Sequence, residues 1–501
     1  MNLEAMIAVG AFYAIVLFVG IWASRQRNDN NPEELFLAGR KLPLFVGVFT
    51  MTATWVGGGY VNGTAEAVYG SGFIWTQAPW GYAIALAIGG LFFAEKMRNR
   101  NYTTLLDPFE EKYGKKIASV LFIPALIGEI FWSAAILVAL GTTFSTILGF
   151  DFQTSILISA CFAILYTFLG GLWSVAYTDV IQLVFIAIGL AIALPFIMDN
   201  LGGIDQIWVQ FQDKFQAQAS FLPALSNFTG TGALGDKVWY WLDMSFLLML
   251  GGIPWGVYFQ RVLSCRNGKQ AKRLSLYAAV GCLVMAIPPI LIGMSGAVAG
   301  WAEAPDAPLV LPYVLKEFTP PLIAAIGLGA ISAAVMSSVD SSILSISSMF
   351  VWNVYRPLIK PESSDRQLFR MTKISIVIVG ALATMLALKV QSVYTLWYLC
   401  SDLVYVILFP QLVAVLFFKK VTKSAAVTGI LVGLILRLGG GEPLFNLPAF
   451  IPYPMHDPDW GILFPFRTFA MLSAMLSIYV VSSFTGKESV LEGEREAVTP
   501  A

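Results

Sequence analysis

Long apolar segments alternate with short polar loops along most of the chain. An α-helix needs about 20 apolar residues to cross the hydrocarbon layer of a bilayer. We therefore predict an all-α integral membrane protein with about thirteen transmembrane helices, over residues 3–23, 43–69, 73–94, 118–148, 153–171, 176–198, 238–263, 275–300, 321–354, 373–390, 393–417, 424–438 and 464–485.

Two of these segments are interrupted by helix-breaking residues in the same way. Segment 43–69 contains TATWVGGGYVNG, and segment 238–263, five segments later, contains LLMLGGIPWGVY. Glycine and proline weaken helices, and broken backbone at membrane depth persists only where it is buried or lines a cavity. A matched pair of breaks indicates the midplane site of an inverted-repeat transporter. For either segment alone, a kinked helix packed through small residues is the alternative.

Lysine and arginine are concentrated in alternate loops, and this asymmetry predicts the orientation of the chain. Most of the 31 basic residues lie in the loops at 25–41, 96–116, 261–273, 356–373 and 419–423. Arg261 opens the third of these loops. Because loops rich in Lys and Arg stay in the cytoplasm, we expect the N-terminus outside the cell and the C-terminus inside. An odd number of spans fits this arrangement.

The composition supports this class and argues against several others. Apolar residues make up 57% of the chain and charged residues 12%, about half the charged share of a soluble domain. A net charge of zero gives no indication of nucleic-acid binding. The four cysteines are scattered, and one histidine, His456, cannot supply a histidine-based catalytic or zinc site. Because the first 23 residues lack a basic leader and a cleavage signal, we expect a retained helix.

Several acidic residues lie within or beside the apolar segments. A carboxylate at the bilayer centre costs about 2.5–3.5 kcal/mol, so such residues usually pair, face water or bind ions. Two of them, Glu66 and Asp402, are interpreted as caps of helix ends near the membrane interface. The full set is Glu66, Glu129, Asp179, Asp243, Asp340 and Asp402.

The segment from Gly327 to Phe350 is rich in hydroxyl side chains and small residues. Hydroxyl and carbonyl oxygens are ligands that suit a hard cation such as Na⁺. Helix packing through Ser and Ala is the alternative, and spacing alone does not decide between them. Thr178 and Asp179 offer a further group of hard oxygens.

Tryptophans flank both breaks, with Trp55 before the three glycines and Trp255 after the proline. Trp132 follows Glu129 in GEIFW, and Tyr82 lies in the third segment. Aromatic faces attract cations, and quaternary ammonium groups favour aromatic cages. Many of the 14 tryptophans are expected in interfacial belts instead, but the two beside the breaks fit a midplane position better.

The sequence resembles the sodium/solute symporter family, and within it the high-affinity choline transporter branch. The likeness extends over about residues 10–480 and is carried by TMTATWVGGGYVNGTAEAVY, LDPFEEKYGKK, LFIPALIGEIFW, GGLWSVAYTDVIQL, LLMLGGIPWGVYFQRVLS, SAAVMSSVDSSILSISSMF, LWYLCSDLVYVILFPQL and LRLGGGEP. It implies a LeuT-type fold of two inverted five-helix repeats, and inward symport of choline driven by Na⁺.

The resemblance also implies the residues of two sites. The sodium positions are Thr52, Ala53, Trp55, Ala334, Ser337, Ser338 and Asp179. The positions that surround the trimethylammonium group are Trp55, Tyr82, Trp132 and Trp255. Glu129 and Asp340 are expected to set the local negative potential there, and Asp340 matches an acidic position typical of the choline branch.

By the same resemblance, the chain divides into a first helix with its loop, two repeats joined by an extracellular loop, two additional helices and a short cytoplasmic tail. The boundaries are 1–42, 43–200, 201–237, 238–417, 418–485 and 486–501. The short tail predicts a bacterial-type homologue, and we expect the protein in the plasma membrane.

The sequence leaves some alternatives open. The rivals are a symporter of the same fold for betaine, proline or a related amine, and a sensor that binds solute without transporting it. An enzyme is least favoured because no nucleophile motif is present. Na⁺ is the expected coupling ion, with Cl⁻ as a further candidate, and membrane lipid is the expected surrounding. The oligomeric state is left open.

Overall fold

The computed structural model describes residues 3–24, 36–169, 172–390 and 392–498, and it is largely α-helical over these ranges. Arg25 and Arg27 of the first predicted basic loop lie outside them. The helices, numbered in chain order, are α1 Leu3–Ser24, α2 Leu44–Trp55, α3 Gly58–Ser71, α4 Ala78–Ile88, α5 Glu95–Asn99, α6 Asp107–Tyr113, α7 Lys115–Leu148, α8 Phe152–Leu169, α9 Leu172–Asn200, α10 Ile204–Phe215, α11 Leu225–Phe228, α12 Lys237–Gly251, α13 Gly256–Ser264, α14 Gly268–Val298, α15 Val310–Phe318, α16 Pro321–Phe350, α17 Asp365–Ala387, α18 Val393–Leu403, α19 Phe409–Phe417, α20 Lys423–Gly439 and α21 Phe466–Val498.

Three π-helical stretches extend or join these helices. Gly89–Ala94 joins α4 to α5, Val351–Ile359 extends α16, and Val404–Leu408 joins α18 to α19. A short antiparallel hairpin, β1 His456–Asp457 and β2 Gly461–Ile462, precedes α21.

The predicted apolar segments coincide with helices throughout the described ranges. Nine helical stretches of the described residues, some of which combine consecutive helices, have the length and hydropathy of membrane spans. The bent pair α2 and α3 makes a tenth. The all-α membrane fold is thus confirmed, while the total of thirteen spans stays a prediction.

Among the helix starts, the largest errors are at α14 and α17, which begin seven and eight residues before the predicted segments. Asn267 caps α14 by accepting from the Gln270 N–H at 2.9 Å. Ser364 and Gln367 form a capping box at the start of α17. These first turns are polar, so they are helical without being apolar. Hydropathy therefore locates the part of a helix inside lipid rather than its end.

The first predicted break separates α2 from α3, and the axes of the two helices meet there with a bend of 47°. A Cβ atom added at Gly57 would lie 1.7 Å from the Ser338 Oγ, and one added at Gly58 would lie 2.2 Å from the Val335 Cγ2. Glycine is required here because α16 passes against the interrupted backbone with no room for a side chain.

The second predicted break separates α12 from α13. The intervening residues form a tight turn in which the Trp255 N–H donates to the Ile253 carbonyl at 2.8 Å. The two broken helices predicted from the glycine and proline motifs are therefore both present.

Helix α16 is the central element of the fold, with the residues from Gly327 to Met349 buried. It packs against α1, α7 and α9, whereas α20 and α21 pack mainly on each other. Large apolar side chains such as Phe18, Phe45 and Phe484 are 63–73% exposed on the outside. Such a surface is stable in lipid and would be unfavourable in water.

Candidate functional site

Aromatic side chains surround a small cavity where the two broken helices meet. We call this set the aromatic cage, and its lining residues are Trp55, Tyr82, Trp132, Trp255, Val257 and Trp397. The cavity has a volume of about 20 Å³, which is room for about one water molecule. All four aromatic residues predicted from the sequence line it.

The rings of the cage are in direct contact with one another. The Trp132 and Trp255 ring centroids are 5.4 Å apart in an edge-to-face arrangement, and those of Trp55 and Trp132 are 6.3 Å apart. Tyr82 stacks on Trp397 at 5.3 Å. Ring faces and edges at these distances stabilise each other, so the cage is closed by its own side chains.

Trp397 is a cage residue that the sequence reasoning missed. It lies on α18, stacks on Tyr82, and also contacts the Tyr60 ring at 5.5 Å. The segment LWYLCSD that contains it was among those carrying the resemblance, but no helix break lies beside it. The signals used for the other cage tryptophans were proximity to a break and, for Trp132, its position after Glu129 and the family resemblance.

Two carboxylates predicted for the substrate site lie outside the cage lining. The Glu129 Oε2 accepts a hydrogen bond from the Ser342 hydroxyl at 2.5 Å, and the Asp340 Oδ1 accepts from the Ser341 N–H at 2.6 Å. The second oxygen of each carboxylate has no partner in the described part of the chain. Both side chains are 1% exposed, which suits a role in the local potential.

Backbone carbonyls and serine hydroxyls converge where α16 meets the end of α2. The Ser337 Oγ donates to the Ala53 carbonyl at 3.0 Å and to the Ala334 carbonyl at 2.9 Å. The Ser338 Oγ donates to the Thr54 carbonyl at 2.8 Å. We call these five residues the oxygen cluster.

The oxygen cluster contains four of the predicted sodium positions and one that was not predicted. Thr54 provides the carbonyl that faces Ser338. The Thr52 carbonyl instead accepts from the Val56 N–H at 2.8 Å, as the last helical bond of α2. Trp55 contributes its ring to the cage. The structure therefore separates Thr52 and Trp55 from the hydrogen-bonded cluster.

Asp179 lies in a different group, together with a buried arginine. Its Oδ2 accepts from the Thr50 hydroxyl at 2.5 Å and lies 3.6 Å from the Arg261 Nη2. Arg261 was expected to open a cytoplasmic loop, but it lies on α13 and is 0% exposed. The prediction was wrong because the polar end of a broken helix has the composition of a loop.

The interpretation of Asp402 as a helix cap is also wrong. Asp402 is buried and paired with the Arg437 Nη2 at 2.5 Å, and Arg437 also contacts Glu442 at 2.6 Å. Arg467 lies 3.6 Å from Asp402 and 3.7 Å from Asp243. These contacts join α18 and α12 to the two C-terminal helices.

Glu66, in contrast, lies within α3 and places its carboxylate at the end of another helix. It accepts from the Ser392 hydroxyl at 2.7 Å and from the Tyr394 N–H at 3.3 Å, at the start of α18. A carboxylate is favourable at this position because it satisfies unpaired backbone donors and the helix dipole. The capping interpretation of Glu66 is confirmed.

A larger cavity of about 820 Å³ opens beside the start of α18, and we call it the outer cavity. Its lining includes Trp75, Tyr240, Tyr394, Tyr398 and Trp460, together with Asp402 and Arg467. Below its rim, the Tyr398 hydroxyl donates to the Gln77 Oε1 at 2.9 Å. Tyr398 follows the cage residue Trp397 on α18, so neighbouring residues of one helix line the outer cavity and the cage.

A helical membrane protein with two broken helices around an aromatic cage and an oxygen cluster is built as a secondary transporter. The chain belongs to the sodium:solute symporter family, whose family model matches residues 35–433.

The human high affinity choline transporter 1 is 48% identical to this chain over 502 residues, covering 96% of this chain and 85% of the relative. The high-affinity choline transporter 1 of Caenorhabditis elegans is 47% identical over 506 residues, with the same two coverages of 96% and 85%. Among solved structures, a substrate-bound, outward-open Na⁺-coupled sialic acid symporter aligns with a TM-score of 0.80 at 20% identity, covering 96% of this chain and 97% of that one. The resemblance and the fold class predicted from the sequence are confirmed.

Proposed function

We propose that this protein imports choline together with Na⁺ by alternating access, with the aromatic cage as the binding site for the trimethylammonium group. The observation that carries the proposal is the cage itself, four tryptophans and a tyrosine at the junction of two broken helices. The relatives named as choline transporters support the choice of ligand.

The chemistry of the cage suits a quaternary nitrogen. Such a nitrogen has no N–H to donate, so a carboxylate attracts it without forming a hydrogen bond. Ring faces attract it through cation–π interactions worth up to about 2 kcal/mol each when water is excluded. Glu129 and Asp340 then contribute negative potential from behind the cage.

The cage must expand before it takes this ligand. A trimethylammonium group is several times larger than the 20 Å³ cavity. Trp255 lies on the turn between α12 and α13, and Trp397 lies on α18, so movement of either element separates the rings. The outer cavity is the route of access that we propose, and the bond between Tyr398 and Gln77 closes it.

We propose the oxygen cluster as the sodium site. Its carbonyls supply fixed oxygens, and the Ser337 and Ser338 hydroxyls can turn their lone pairs toward a bound ion. The family resemblance also named Thr52, Trp55 and Asp179, which lie outside the oxygen cluster. Because the cluster uses the last turn of α2, directly before Trp55, sodium binding orders the backbone that holds a cage ring. This shared backbone couples the two ligands.

The membrane potential and the sodium gradient together allow strong accumulation of choline inside the cell. Each positive charge that enters across 100 mV gains about 2.3 kcal/mol, and a tenfold gradient costs about 1.4 kcal/mol. Choline and Na⁺ both carry charge inward, so voltage and the sodium gradient act together.

We place the protein in the plasma membrane with its N-terminus outside, and assign residues 43–200 and 238–417 to the two repeats. It has a transport role rather than a catalytic one.

Uptake of radiolabelled choline into proteoliposomes containing the purified protein tests this function. We expect uptake above equilibrium only with an inward Na⁺ gradient, with further stimulation by an inside-negative potential. Betaine and proline serve as competing solutes. Accumulation of either in place of choline would assign a different substrate, and binding without flux would indicate a sensor. Replacing external Cl⁻ by gluconate shows whether chloride takes part.

A further inference from the structure

We propose that Arg261 is a resident cation at Asp179 and that it positions the sodium site through Ser341. On this proposal, which rests on the proposed function for the identity of the coupling ion, Asp179 does not bind transported Na⁺. The guanidinium supplies the positive charge there instead. This differs from the expectation that the family resemblance gave for Asp179.

The first argument is the burial of both charges. Arg261 and Asp179 are each 0% exposed, with the Nη2 and Oδ2 atoms 3.6 Å apart. An arginine keeps its charge in a protein interior, and a buried charge requires a counter-charge nearby. Asp179 provides this counter-charge to Arg261 in the folded protein. Asp340 interacts electrostatically with the same guanidinium.

The second argument is the kind of atom around Asp179. Its Oδ2 accepts from the Thr50 hydroxyl at 2.5 Å. The Gln182 amide is oriented so that both its oxygen and its nitrogen have hydrogen-bond partners. In this orientation its nitrogen donates to the Asp179 Oδ1 at 3.2 Å. The Thr50 hydroxyl could turn its lone pairs outward, but the guanidinium can only donate, whereas a sodium ion requires oxygen lone pairs. A mobile cation here would also be repelled by the guanidinium.

The third argument is a chain of hydrogen bonds from Arg261 to the oxygen cluster. The Arg261 Nη2 donates to the Ser341 Oγ at 2.5 Å. The Ser341 Oγ donates in turn to the Ser337 carbonyl at 2.9 Å, and the Ser337 Oγ contacts the Ala53 carbonyl. The guanidinium thereby fixes the direction of the Ser341 hydroxyl, one turn from the two serines of the proposed sodium site.

This arrangement makes Arg261 a positioning residue that links three helices. It lies on α13, Asp179 lies on α9, and Ser341 lies on α16. The second broken helix, which holds Trp255 at its start, is thereby tied to the proposed sodium site. A fixed charge in this place shapes the sodium site without being carried across the membrane.

Neutralising Arg261 and Asp179 together shows whether Asp179 serves as the partner of a fixed cation or as a ligand of sodium. We compare Asp179→Asn, Arg261→Gln and the double variant, measuring ²²Na⁺ flux per choline and the Na⁺-dependent rise in melting temperature of the purified protein. Each single variant leaves one buried charge without its partner, so both should lose stability and uptake. The double variant should recover stability and uptake, with an unchanged Na⁺-to-choline ratio. Because it still lacks the bond to Ser341, its sodium half-saturation should rise, but by less than about tenfold.

Two results would overturn the proposal. One is a double variant that carries one Na⁺ fewer per choline. The other is a half-saturation raised about tenfold or more in the double variant, since Asp179 would then bind the ion. Wild-type protein without Na⁺-driven choline uptake would instead reject the proposed function, so the two failures are distinguishable.

Arg261→Lys provides a second route if the double variant does not fold. Lysine keeps the charge beside Asp179 but loses the planar fork that also reaches Ser341. The sodium half-saturation should rise about three- to tenfold, with choline half-saturation at saturating Na⁺ unchanged. An unaltered sodium dependence would show that Arg261 does not position the site.

Discussion

Trp255 and Trp397 approach the aromatic cage from different parts of the fold. Trp255 lies in the turn of the second broken helix with its ring edge-to-face against Trp132, and Trp397 lies flat against Tyr82. At the scale of single residues, the question is whether these rings attract the charge of a ligand or only provide contact area.

Trp255→Leu should separate charge recognition from shape. Leucine keeps an apolar wall but removes the ring face, so affinity for choline should fall about tenfold or more. A neutral analogue, with carbon in place of nitrogen, should lose much less. Competition against radiolabelled choline measures both ligands. Trp301→Leu is the matched control, because Trp301 packs on Phe318 away from the cage. Equal losses for both ligands would contradict the cation–π role.

Replacing Ser337 and Ser338 together by Ala should weaken sodium dependence. Two hydroxyl oxygens are removed with little change in volume, so the sodium half-saturation should rise about tenfold. Choline affinity at saturating Na⁺ should change less. The control replaces Ser332 and Ser348, buried hydroxyls on the same helix that bond only within it. If the two double variants behave alike, the serines serve helix packing and the sodium site lies elsewhere.

Sequence reasoning at this scale relied on the helix breaks and on the family resemblance, and the resemblance supplied Tyr82, Trp132, Ser337 and Ser338. Trp55 and Trp255 were found from the breaks. Trp397 was missed because a side chain on an unbroken helix carries no local signal of what faces it. Thr54 was missed although it lies one residue before Trp55. Arg261 was misplaced because its partners Asp179 and Ser341 lie 80 or more residues away on other helices.

At the scale of elements, the interruption between α2 and α3 is a packing requirement as much as a binding feature. α16 approaches so closely that Gly57 has no space for a Cβ, which would meet the Ser338 Oγ at 1.7 Å. Gly59, two residues further, has its nearest neighbour, the Ala135 Cβ, at 3.9 Å. The same glycine run therefore contains two constrained positions, Gly57 and Gly58, and one that tolerates a methyl group.

Gly57→Ala should destabilise the protein and abolish sodium-dependent uptake. The added methyl group forces α2 away from α16, at a cost of about 1–3 kcal/mol from overpacking. Gly59→Ala should leave both properties close to wild type. Thermal unfolding in detergent, followed by choline uptake in proteoliposomes, measures the two variants. A stable and active Gly57→Ala protein would contradict the close approach of the two helices.

The helices themselves were predictable because apolar length is a local property. The capped starts of α14 and α17 were not, since their first turns are polar and depend on Asn267 and Ser364 as caps. The positions of the breaks followed from glycine and proline. Which helix presses against each break depends on tertiary packing, and no local pattern in α16 identifies it.

At the scale of the whole molecule, the basic loops and the outer cavity differ in their charge and lining. The loop around Lys96 and Arg98 is rich in basic residues, and Arg98 is anchored by donating to the Cys265 carbonyl at 2.5 Å. The outer cavity is lined by tryptophan, tyrosine and paired acids. If positive charge stays inside, the outer cavity faces the external solution.

A single cysteine at Asn99 tests this orientation. In a background without Cys161, Cys265, Cys282 and Cys400, Asn99→Cys should react with an impermeant thiol reagent only in inside-out vesicles. Asp459→Cys, on the hairpin beside the outer cavity, should react in intact cells. Labelling of Asn99→Cys from outside would reverse the orientation.

The ion pair between Asp402 and Arg437 has a consequence for how the chain is made. Arg437 follows Asp402 by 35 residues, and at about 5–20 residues per second the acid leaves the ribosome roughly 2–7 s before its partner. During that interval α18 and α19 carry an uncompensated carboxylate, at an insertion cost of about 2.5–3.5 kcal/mol. Stable integration of this segment therefore waits for α20. The C-terminal helices assist the biogenesis of the helices before them, and a nascent chain released before Arg437 would be exposed to membrane quality control.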